Sequence, residues 1–122
     1  MNGQRYHTVK KMLNHYKLNN NVESKCFTDP DVMAMFNFNT GNIQICDSSV
    51  VDREDFIMTS LHEIGHAAQA DRLGLNNFAN DYNSVSDNLS NEGRDEYSNN
   101  PYEIEAEDFA QSEYYVWQSS QV

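Results

Sequence analysis

The sequence predicts an α+β fold in one domain, residues 1–122, with a small antiparallel sheet packed on a central helix and a further helix closing the chain. Three observations carry this. Apolar residues recur at helical spacing from Phe56 to Leu73. Two short segments rich in apolar and aromatic residues flank a turn at Asn39-Thr40-Gly41. A run led by Pro101 has a helix start signal before it and continues to about residue 118.

Taken in order, Tyr6, Val9, Met12, Leu13 and Tyr16 share one face of a helix over residues 4–18, and Asn19-Asn20-Asn21 ends it. Val32–Phe38 and Asn42–Cys46 suit two strands, with Gly41 supplying the positive φ of the turn between them. Phe36 and Phe38 fall on one face, as do Ile43 and Ile45. Asp52 is a helix N-cap, with Asp55 placed to reach back to the first turn. The helix after it runs through Phe56, Ile57, Leu61, Ile64 and Ala68 to Leu73, and Gly74 stops it. Residues 75–100 are crowded with Asn, Asp and Ser and are expected to form a long polar loop, with at most a short helix near Phe78. Pro101 suits the first turn of the last helix, with Asn99 or Asn100 as its cap.

Composition narrows the function classes. The net charge is −11, and between Leu73 and Val122 ten acids face one base, Arg94. Nucleic-acid binding needs clustered Lys and Arg, so it is not expected. With 39% apolar residues and a mean hydropathy of −0.77, and no apolar run near the roughly 20 residues of a membrane span, no membrane partner is expected either. Residues 1–17 hold bases but no apolar stretch or small-residue cleavage site, which points to a cytoplasmic chain, with a virion as the alternative setting. The many asparagines suggest an AT-rich, viral genome. Cys26 and Cys46 are too few for a disulfide framework and are expected to be buried free thiols, a bridge between them or a role as metal ligands being the alternatives.

The chemistry concentrates in Leu61-His62-Glu63-Ile64-Gly65-His66. Residues four apart stack on one helix face, so both imidazoles can bind a single Zn²⁺. Glu63 lies about 100° further round and can serve as general base toward a water on the ion. Chance yields this pattern about once in a hundred chains of this composition, and here it falls inside a strongly periodic helix. Gly65 costs about 1 kcal/mol against Ala in a helix interior, which close approach of another helix would explain. A third ligand is required. His7 and His15 lie far upstream on the first helix and read as exposed or structural. The acidic run Glu103-Ile104-Glu105-Ala106-Glu107 is the better source. Glu103 and Glu107 share a face, whereas Glu105 points nearly opposite, so Glu103 is preferred over Glu105.

These two motifs resemble those of the gluzincins, zinc metallopeptidases whose ligand helix follows the pattern E-x-x-A-[D/N]-x-F-A. The chain reads E-I-E-A-E-D-F-A from Glu103 to Ala110. The resemblance is to minimal members of the group, and it implies a zincin-like domain with zinc held by His62, His66 and Glu103. Glu107 stands where the family has an Asp or Asn that hydrogen-bonds a zinc histidine. The implied activity is hydrolysis of peptide bonds in a peptide or protein substrate by water that Glu63 activates. Such a substrate would pair with an edge strand, assigned to Asn42–Cys46. Tyr97, Tyr102 and Tyr114 are candidate oxyanion donors. The alternatives are a zinc-binding adaptor without catalysis, and a regulator that cleaves one partner protein.

Overall fold

The computed structural model describes residues 1–119 and contains four helices and a three-stranded sheet. The first helix, α1 (Gly3–His15), is capped by Asn2, whose side chain accepts the Arg5 N–H. It buries Val9, Met12 and Leu13 and leaves Tyr6 at the surface. Arg5 ties α1 to the chain ahead of the central helix. Its guanidinium pairs with Asp47 at 2.8 Å, donates to the Val51 carbonyl, and lies over the Phe56 ring.

The sheet consists of β1 (Val22–Ser24), β2 (Ala34–Phe36) and β3 (Ile43–Ile45), in the order β1-β3-β2. The expected hairpin is present, with Ala34 opposite Ile45 and Phe36 opposite Ile43, and Gly41 turns at φ +76°. The sheet is mixed, however, because β1 runs parallel to β3. This strand went unpredicted: three residues with one buried side chain give no alternation to read. Its presence moves β3 to the centre, so the free edge assigned to Asn42–Cys46 belongs to β2 instead. The central position suits β3, whose three residues are all buried.

The helix α2 (Arg53–Leu73) starts at Asp52, which accepts the Asp55 N–H at 2.8 Å, and stops at Gly74, whose φ of 88° suits glycine. Phe56, Ile57, Leu61 and Ile64 are fully buried on the face that meets the sheet and α1. Residues 75–91, expected to be loop, form a third helix, α3 (Leu75–Asn91). Its Asn and Ser content argues against helix by propensity, but Phe78, Tyr82, Val85 and Leu89 recur at helical spacing, and burial of Phe78 and Leu89 overrides the propensity. The last helix, α4 (Pro101–Trp117), begins with Pro at its first position, and the Asn100 side chain accepts the Tyr102 N–H.

The cysteines also depart from expectation. Cys26 and Cys46 are joined in a disulfide, and no free thiol remains. Cys26 lies just beyond β1 and Cys46 just beyond β3, so the parallel pairing that sequence reading missed is what brings them together. The bridge closes a loop that contains β2, β3 and the turn between them. A closed loop with a sequence separation of 20 removes enough freedom from the unfolded chain to contribute about 3 kcal/mol. The Cys26→Ser/Cys46→Ser double variant should lose about that much in urea unfolding. An unchanged midpoint would show that the bridge does not hold this part of the fold.

Candidate metal centre

The site is assembled where α2 and α4 come closest. A Cβ added to Gly65 would stand 3.1 Å from the Ala106 Cα and 3.2 Å from its Cβ. Gly65 is therefore the residue that permits this helix separation. Glu103 lies one turn before Ala106 and Glu107 one residue after it, so the contact aims both carboxylates at the histidine turns of α2.

Glu103 Oε1 lies 2.9 Å from Nε2 of both His62 and His66. Ligand atoms of the three residues all fall within 4.8 Å of one another. His66 and Glu103 are buried, and the His62 side chain is 12% exposed. Glu105, the competing ligand, points away and pairs with Arg72 and Gln69. His7 and His15 remain on the surface of α1.

The other ring nitrogens show what these residues suit. His62 Nδ1 lies 3.0 Å from Glu107 Oε1, as the resemblance implied for that position. His66 Nδ1 lies 2.7 Å from Gln69 Oε1. Both oxygens accept, so each Nδ1 carries a hydrogen, and each neutral ring turns an Nε2 lone pair toward the Glu103 oxygen. Two lone pairs facing a carboxylate at 2.9 Å repel unless positive charge lies between them. A proton on His62 Nε2 relieves one of these two contacts. Burial opposes the charge on His62, but the Glu103 hydrogen bond, Glu63 and Glu107 outweigh it and push its pKa up to about 9. Burial likewise opposes charge on Glu103, yet its close contacts with His62, His66 and Tyr82 hold its carboxyl well below the usual range. A divalent cation would supply the charge to all three groups at once. Two imidazoles and one carboxylate, with an open side, are a donor set that zinc accepts.

Two further residues complete the surroundings. Glu63 is 7% exposed, and loss of hydration raises its pKa, against the pull of His66, His62 and the Phe36 backbone N–H. Tyr82, on the unpredicted α3, donates its hydroxyl to Glu103 Oε2 and leaves Oε1 for the histidines. Of the three tyrosines considered as oxyanion donors, Tyr97 lines the site, with its hydroxyl 3.5 Å from His62 Nε2. Tyr102 instead bonds Asp81, and Tyr114 packs against the core. The cleft holds about 690 Å³ and is walled by β2 and the segment before it, by α2, and by Tyr82 and Tyr97.

No known protein family, curated protein or solved structure matches the chain. The likeness to gluzincins accordingly rests on the motifs at residues 62–66 and 103–110.

The close helix contact gives a direct test. Gly65→Leu should lower zinc affinity at least ~10-fold, the loss seen when support around metal ligands is disturbed, while far-UV circular dichroism changes little. Unchanged zinc affinity in this variant would mean that helix separation does not set the centre.

Proposed function

We propose that this chain is a small zinc-dependent metallopeptidase-like hydrolase, with His62, His66 and Glu103 as ligands and Glu63 as general base. The observation that carries the reading is the buried Glu103 carboxylate held 2.9 Å from two Nε2 atoms, with a second buried carboxylate, Glu63, beside it and an open cleft in front. When bound, zinc supplies Lewis acidity, lowering the pKa of water to about 7 and polarising a carbonyl. Glu63 then takes the proton of the attacking water and returns it to the amine nitrogen that leaves. Its dehydrated position suits this, because a carboxylate with a raised pKa is the stronger base. Tyr97 stands at the mouth of the cleft, where its hydroxyl can donate to the oxygen on which negative charge develops. Burial and the surrounding carboxylates raise its pKa, which keeps the phenol protonated.

The substrate's place follows from the corrected sheet order. On β2 the groups of Met33, Met35 and Asn37 face β3, as the Cys46 N–H to Met33 carbonyl and Asn37 N–H to Asn42 carbonyl bonds show. Ala34 and Phe36 therefore turn their backbone groups outward along the cleft, and the Phe36 N–H meets Glu63. An extended peptide can add to that edge as a further strand, bringing its carbonyl beside Glu63. Met33, Met35 and Met58 line the same wall and suit apolar side chains of varied shape.

A bridged cysteine pair fits an oxidising setting, such as an extracellular or virion surface, better than the cytoplasm. Among the described residues no helix is long and apolar enough to cross a membrane.

Glu63→Gln separates the enzyme from a zinc-binding adaptor. It should lower peptide hydrolysis by about 10² to 10⁴-fold and leave zinc content at the wild-type level, read on an unfolded casein-type substrate. A regulator that cleaves one partner shows the same loss on that partner alone. If wild type and variant act alike on every substrate and in binding, the catalytic assignment fails and the adaptor takes its place.

A further inference from the structure

The resemblance implies a supporting partner for His62, Glu107, and none for His66. The structure supplies one in Gln69, three residues on along α2 and 1% exposed. Its amide nitrogen donates to the Tyr102 carbonyl and to Glu105 Oε1, both at 2.9 Å, and both partners belong to α4. Both are acceptors, so the orientation of the amide is decided by α4. That leaves Gln69 Oε1 as the acceptor facing His66 Nδ1 at 2.7 Å. The consequence passes to the ring: His66 carries a hydrogen on Nδ1, which leaves Nε2, turned toward Glu103, as the nitrogen able to ligate.

We propose that Gln69 is the positioning residue for a divalent metal at this centre, holding His66 in the one tautomer and ring orientation that can ligate. This rests on the metal-centre reading. The two supports differ in kind. Glu107 is a half-exposed carboxylate, with a side chain 48% exposed, on a histidine that borders the cleft. Gln69 is enclosed, anchored at three points, and ties His66 to the backbone of the ligand helix. The His66 half of the centre is thus the more enclosed and more firmly anchored of the two.

The test is zinc affinity, measured by competition with a chromogenic chelator, together with the absorption spectrum of the Co²⁺-loaded protein, which reports ligand geometry. Gln69→Met keeps length and burial but removes the acceptor. It should lower zinc affinity by about 10 to 100-fold and alter the Co²⁺ spectrum. The exchange variant Gln69→Glu/Glu105→Gln restores an acceptor on His66 Nδ1 and a donor toward it, at the cost of the Tyr102 bond. Its zinc affinity should lie within about 3-fold of wild type, even though its metal-free melting temperature falls. A residue that only packs would give the reverse pattern, with affinity kept in Gln69→Met or no recovery in the exchange variant, and either result overturns the inference. Where Gln69→Met fails to fold, the exchange variant decides alone: retained affinity supports the role, and a tenfold loss overturns it. If wild type binds no zinc, the metal centre itself fails, a result distinct from tight wild-type binding with an indifferent Gln69.

Discussion

The contact between Gly65 and Ala106 sets the distance on which everything at this site depends. A side chain on Gly65 would press on the α4 backbone at 3.1 Å, and relief would come only from moving the helices apart. Glu103 would then lose its 2.9 Å approach to both histidines, and the bridge from Gln69 to the Tyr102 carbonyl would open. The glycine costs helix stability locally and returns it as a close helix pair. Local preference and global packing disagree at this residue, and packing prevails.

The same contact creates an electrostatic demand. Glu103 is buried with both its oxygens engaged, one by two imidazoles and the other by Tyr82. A buried carboxylate is tolerated when compensated; here His62, His66 and Tyr82 compensate it, and a metal ion would serve all three ligand residues at once. The acidic second half of the chain, with Arg94 as its single base after Arg72, offers no arginine or lysine in the cleft lining to take that role. The ring nitrogens turned away from Glu103 are both occupied by acceptors, so the cluster is organised toward a cation from two sides.

How much of this was legible depended on what kind of signal each element left. The central helix announced itself by periodicity and by Asp52 and Gly74 at its ends, and α4 by Asn100 and Pro101. His62, Glu63, His66 and Glu103 were readable because helix geometry turns a spacing of four into a shared face. What escaped reading depended on tertiary contacts. The strand β1 is too short to alternate, and missing it also misplaced the sheet edge and hid the Cys26–Cys46 bridge. The helix α3 leaves a weak signal because its Asn and Ser residues outweigh the Phe78, Tyr82, Val85, Leu89 rhythm, and the role of Tyr82 is hidden with it. Gln69 lies in plain view three residues after His66, but only the position of α4 shows which way its amide points.

The central claim, that two imidazoles and one carboxylate hold a single metal ion, is tested most directly by X-ray absorption at the zinc edge of the loaded protein. The account predicts one zinc per chain in a shell of light atoms at roughly 2.0–2.1 Å, with outer-shell scattering from two imidazole rings and no sulfur. A sulfur contribution, a single imidazole, or zinc bound only in superstoichiometric amounts would contradict it.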